Sequence, residues 1–262
     1  MLWRSWRSES EGLVSLTFER KKMADQDINL PEAVKTQAID YVSSGAKAVL
    51  GAIPFAGPLL TEIAGSIIPH QRIDRIADFA TKLQSRIAYL EEEEVRAHLS
   101  DEEFTDLVEE ALRQAARSTT EERRYQLASL VSQSLSNEAI EHAESKHLMR
   151  LLGELNNLEV LWLRFFNVST IGGDQEFRGL HDDVFEERVA YIGCSTKELS
   201  DHALQESYKD HLAQLGLLTR HISKQNGMPE FDHFTGDFKI SYSEASSLGR
   251  LLLRSIGLIE DE

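Results

Sequence analysis

Two Ser/Thr-x-x-Glu signatures, Ser100-Asp-Glu-Glu103 and Thr119-Thr-Glu-Glu122, commit the middle of this chain to helices. In that pattern a hydroxyl and a carboxylate cap a new helix reciprocally, and each signature here is followed by apolar residues at helical spacing. The first predicted helix carries Phe104, Leu107, Val108, Ala111 and Leu112 on one face, and the second carries Ala128, Val131 and Leu135. Before them, Ile76, Ala80, Leu83, Ile87 and Leu90 alternate steps of four and three, which predicts a long helix from about Gln71 to Leu99. Ile76, Leu83, Ile87 and Leu90 form a seam of the kind that joins helices of a bundle or two copies of a chain. Pro31 opens an earlier helical pattern running to about Leu50, and Ile140, Ala143, Leu148, Leu151 and Leu152 mark a later one. Residues 31–155 therefore read as a helical bundle.

Beyond Asn156 the pattern changes. A short apolar helix (Leu158, Leu161, Trp162, Phe165, Phe166) runs into the loop signal Gly172-Gly173, and a further helix is expected across Asp182 to Ile192. A helix from Ser200 to Gln214 is expected to turn Leu204, Tyr208, His211, Leu212 and Leu215 inward. Leu215-Gly-Leu-Leu-Thr-Arg-His-Ile222 reads as a helix stop and a strand, and Asp237-Phe-Lys-Ile-Ser-Tyr242 alternates like its partner. Residues 223–236 between them read as a long hairpin loop or wing. A last helix carries Ala245, Leu248, Leu252 and Leu253, so residues 156–262 follow the order of a winged-helix module. The expected fold class is mainly α: a helical bundle, then a winged-helix-like α+β module with a small β-hairpin.

The most unusual stretch is residues 51–69, whose only formal charge is Glu62 and which Pro54, Gly57, Pro58 and Gly65 punctuate. One reading is a helical hairpin buried in the bundle, with a turn at 54–58 and Pro58 at a first helical position. The other is a membrane-active or self-assembling hairpin whose contact residues are Ile53, Pro54, Phe55, Gly57, Pro58, Leu59, Leu60, Ile63, Ile67 and Ile68. Each arm is too short to cross a hydrocarbon core of about 30 Å as a helix, so shallow insertion or an oligomeric assembly is the form this reading takes.

Charge and motifs narrow the function classes. The net charge of −16 divides as +2 in residues 1–22, −10 in 23–146 and −8 in 147–262, which argues against a generic nucleic-acid binder. The candidate recognition helix is itself acidic, with Asp201, Glu206 and Asp210 against Lys209. Cys194 is the single cysteine, so an intramolecular disulfide is excluded and a cytoplasmic setting is expected. The first 30 residues read as a flexible extension, in which Trp3, Arg4, Trp6 and Arg7 offer an interfacial anchor as the sharper alternative. Glu138 and His142 share a helix face with His147 farther round, but no third metal ligand is evident. No catalytic motif, metal site or cofactor site is identified, and Asp182 and Asp183 receive no role.

The order of these features resembles the bacterial abortive-infection alpha family. The residues that carry the resemblance are Ile53-Pro-Phe-Ala-Gly-Pro-Leu-Leu60, Ile68-Pro-His-Gln-Arg-Ile-Asp-Arg75, Leu215-Gly-Leu-Leu218 and Leu248-Gly-Arg-Leu-Leu-Leu253. The resemblance implies antiphage defence, in which an infected cell is halted or killed before phage matures, and it supplies no catalytic residues. Three function classes follow. The first is a non-enzymatic effector acting through residues 51–69 at the inner-membrane surface or in a homo-oligomer. The second is a cytoplasmic helical adaptor or regulator that oligomerises and docks a protein partner through the winged-helix-like module. The third is an enzyme whose pocket is assembled from distant residues.

Overall fold

Asp101 and Thr120, each one residue past the hydroxyl that the sequence pattern nominates, cap the two central helices. The structure is a computed structural model that describes residues 72–90, 98, 101–136, 141–168, 173–188, 191, 193–231, 236 and 238–260. The Asp101 carboxylate accepts from the backbone N–H groups of Glu103 and Phe104, opening α2 (Glu102–Arg117), which follows α1 (Ile73–Ile87). The Thr120 hydroxyl accepts from the N–H of Arg123 in the first turn of α3 (Glu121–Ser136) and from the Asn157 side chain, so a distant connector fixes this cap in place. An uncapped helix start leaves N–H groups without partners, which is why such caps matter to stability.

Helix α3 is the hub. Helices α1, α2, α4 (His142–Glu154) and α9 (Ser247–Ser255) all pack on it. Leu127, Ala128, Ser129, Leu130, Val131 and Ser132 are consequently buried in an unbroken run, instead of along a single stripe. Charged brackets tie its neighbours at the rim: Asp78 of α1 holds Arg124 of α3 and Lys82, and Lys82 also reaches Glu121 at 2.7 Å. Between α2 and α4, Lys146 contacts Glu103 at 2.7 Å and Asp106 at 2.9 Å. Exposed pairs of this kind contribute little singly, so the apolar packing beneath decides the arrangement.

After α4 come α5 (Asn157–Asn167), the short α6 (Gln175–Leu180) and α7 (Asp182–Phe185), and the long α8 (Thr196–Gln214). The helix expected across Asp182 to Ile192 is thus a single turn, and α6 precedes it. Helix α8 starts earlier than Ser200 because Ser195 and Glu198 form a full capping box. Leu204 faces solvent, and Gln205 occupies the buried position beside it, bridging the N–H of Arg188 and the C=O of Glu186. The chain leaves α8 through Gly216 at φ +72°, with Leu217 N–H donating to the Leu212 C=O at 2.9 Å. That is a Schellman closure. It delivers the chain into β1 (Leu218–Ile222), which pairs antiparallel with β4 (Ile240–Ala245).

The molecule is therefore mainly helical, with nine helices among the described residues, a two-stranded sheet and a further small hairpin. Its second half has the winged-helix order. One apolar core runs from Ile76 on α1 to Ile256 just past α9, crossing the α4–α5 connector. The bundle and the winged-helix-like module are joined by α9, which packs on α3, α4, α5 and β4.

Candidate functional site

On β4, apolar residues fall at every second position: Ile240 and Tyr242 in the strand, with Phe238 just before it. A half-buried strand ordinarily turns such a set toward the core. Here it faces outward. The inward pair is Leu218 and Ala245 at the sheet's base, and Ile240, Tyr242 and Glu244 share the opposite face. A bulge between His221 and Ile222 brings Ile222 opposite Ile240, adding it to the exposed side.

The wing extends this face. Asn226 (φ 54°) and Gly227 (φ 80°) form the two-residue turn between β2 (Lys224–Gln225) and β3 (Met228–Pro229). The returning arm then wedges between the two long strands: Ser223 accepts from the Glu230 N–H, and Glu230 accepts from the Lys239 N–H, both at 2.9 Å. The expected long hairpin loop or wing thus contains an extra hairpin, with Phe231 bridged to Phe238 and their ring centroids 4.5 Å apart. Lys239 bonds the Glu230 carboxylate at 3.0 Å, and this contact, with the Ser223 hydroxyl, holds that carboxyl below its ordinary range. His221 stacks on Tyr242 at 4.1 Å and bonds Glu244 at 2.9 Å.

The result is an ordered apolar ladder in solvent. Phe231 is 53% exposed, Tyr242 52%, Phe238 44%, Ile222 40% and Ile240 38%, and Met228 in the small hairpin beyond them is 70% exposed. These are six of the thirteen exposed large apolar residues among those described, and they fall within residues 222–242. Contiguous exposed apolar surface of this kind marks an interaction site more often than scattered single residues do.

Comparison with protein-family models, curated proteins and solved structures returns no match. The site must therefore be read from its own chemistry.

The nominated contact residues Ile53, Pro54, Phe55, Gly57, Pro58, Leu59, Leu60, Ile63, Ile67 and Ile68 lie outside the described residues, as does the extension 1–30. The seam faces inward. Ile76, Leu83 and Ile87 are buried in the chain's own core and Leu90 packs at its edge, so they offer no free face to a second copy. His142 sits with its Nε2 at 3.0 Å from His98 Nδ1, while Glu138 lies outside the described residues. Burial lowers the His142 pKa, a direction the His98 charge reinforces and Asp101 opposes. Among the described residues no cluster of three or more metal-ligating side chains occurs, and no helix is long and apolar enough to cross a membrane. Cys194 is half-buried.

Proposed function

We propose that this chain is a non-enzymatic adaptor or regulator that works by pairing through the outer face of its wing. The observation that carries the reading is the outward-facing ladder of Ile222, Phe231, Phe238, Ile240 and Tyr242. The occupant of that face is a second copy of the chain. At about 200 Å² per large side chain, the exposed fractions of these five leave on the order of 450 Å² of apolar surface, about the non-polar share of the ~800 Å² that each partner contributes to a standard interface. Local charge supports self-pairing: residues 218–245 hold three basic and four acidic side chains, a net −1 in a chain of −16. Two copies can therefore meet there with little of the repulsion the rest of the surface would impose. Recognition of DNA is disfavoured because the Lys209 ammonium is already held by Glu206 and Arg220 is held by Asp210.

Sedimentation of the full chain up to roughly 100 μM is expected to show a dimer, and Phe231→Ser with Tyr242→Ser a monomer of unchanged circular dichroism. A wild-type chain that stays monomeric throughout, or a double variant that still dimerises, overturns the reading. The first outcome would assign the face to a different protein.

The setting proposed for this activity is antiphage defence. It is supported by the apolar sequence of residues 51–69 and by the resemblance to the abortive-infection alpha family. In that setting those residues act on the inner membrane or in self-assembly. Inducible expression of the wild type is expected to arrest growth and collapse membrane potential during phage infection, and deletion of residues 51–69 to abolish both effects. Intact growth and potential in infected wild-type cells would remove the effector role.

A further inference from the structure

At the opposite kind of surface, where α2 passes into α3 and α4 into α5, an open cleft of about 730 Å³ gathers Arg117, Arg123 and Arg150. Arg123 is only 9% exposed. Its guanidinium donates to the C=O of Leu152 at 2.8 Å and of Leu155 at 2.7 Å, and twice to the Asn157 side-chain oxygen at 3.1 and 3.3 Å. Every one of those acceptors is neutral. Arg117 and Arg150 line the same cleft, and among the described residues neither guanidinium has an ion-pair or hydrogen-bond partner.

Among the other described arginines, Arg113, Arg124, Arg164, Arg188 and Arg220 each rest on a carboxylate, whereas Arg75 and Arg178 donate to backbone carbonyls. In a chain carrying a net −16, two unpaired arginines beside a buried third whose hydrogen-bond acceptors are all neutral are a local concentration of positive charge. Glu110 and Glu154 also line the cleft, but Glu110 is engaged by Gln114 at 3.0 Å and faces Arg113 at 3.8 Å. The three arginines therefore outnumber the two carboxylates. Thr119, Thr120 and Asn156 also line the cleft, and Leu158, 38% exposed, offers an apolar ledge.

We propose that this cleft binds a small phosphorylated ligand of nucleotide size, with Arg117 and Arg150 closing on its phosphates and Leu158 against its apolar part. Planar guanidinium forks match phosphate oxygens in pairs. The volume lies within the ordinary range for small-molecule sites of about 300–1,000 Å³. Arg123 serves as a positioning residue that holds the α4–α5 connector in place. The inference is independent of the wing, since none of its residues lies in 218–245.

The test is titration calorimetry and thermal shift on the full chain with ATP, pyrophosphate and inorganic phosphate, against KCl at matched ionic strength. ATP or pyrophosphate is expected to bind and to raise the melting midpoint above the salt control. Arg117→Gln with Arg150→Gln is expected to melt as the wild type does without ligand and to lose roughly tenfold to a hundredfold in affinity for each guanidinium removed. Leu158→Ser separates the sources: it weakens ATP alone if a nucleoside is bound, and changes neither probe if a free polyphosphate is. No response beyond the KCl control, or equal binding by the double arginine variant, overturns the proposal.

Discussion

Alanine at position 249 is expected to lower the melting midpoint, although alanine usually stabilises a helix by about 1 kcal/mol relative to glycine. Gly249 lies in the first turn of α9, where its N–H donates to the Ser246 hydroxyl that caps the helix. A Cβ at this position would stand 2.2 Å from the Leu217 carbonyl oxygen and 3.1 Å from Leu163 Cδ1. The same Leu217 oxygen accepts from the Ser246 N–H at 2.9 Å, so the obstacle is backbone that is itself pinned. Overpacking of this kind costs about 2–3 kcal/mol, or roughly 5–10 °C in a domain of this size. Gly179→Ala is the control, because no atom lies within 4 Å of its added methyl. A midpoint unchanged in Gly249→Ala by differential scanning calorimetry would mean that α9 and β1 do not approach this closely.

Arg123→Met is expected to destabilise the chain by a comparable amount for a different reason. The methionine fills most of the volume but cannot donate, leaving the buried Leu155 carbonyl without its arginine partner. The Leu152 carbonyl keeps only the 3.3 Å contact from Leu155 N–H. A buried polar group deprived of its partner costs about 1–3 kcal/mol. Loss of the Asn157 contacts also frees the residue that holds the Thr120 cap, so α3 is weakened at its start. Burial presses the Arg123 pKa downward and Glu159 opposes it. A fall of roughly 2–12 °C, with faster amide exchange across residues 155–158, is the expected result. Arg123→Lys should lie between, since a single ammonium cannot reproduce the fork. A midpoint within a degree of wild type would refute the bracket.

The helices were legible because amphipathic spacing and capping chemistry act locally. Phe104, Leu107, Val108, Ala111 and Leu112 are buried together as their spacing requires. The errors have physical causes. Asp101 and Thr120 supersede their neighbours as caps because the acceptor that wins is the one a carboxylate's geometry or a tertiary hydrogen bond favours. Ser195-Thr-Lys-Glu198 carries the same signature and could have placed the start of α8 from sequence. The wing's ladder was not legible as a surface: alternation reports that a strand has two unlike faces but not which one meets the core. Nor could spacing alone tell whether Ile76, Leu83 and Ile87 would meet a neighbouring helix or another copy. The arginine cleft had no linear signal at all, since Arg117, Arg123 and Arg150 converge only when four helix ends meet.

The contact of Gly249 with Leu217 also joins two short motifs that sit 30 residues apart in the chain, Leu215-Gly-Leu-Leu218 and Leu248-Gly-Arg-Leu-Leu-Leu253. With no side chain to act as a spacer, strand and helix have no play between them at the root of the sheet. The root of the sheet is thereby seated directly on α9, which itself packs on the central helix α3. The first irregularity outward from that root is the His221/Ile222 bulge, where the ladder's register shifts.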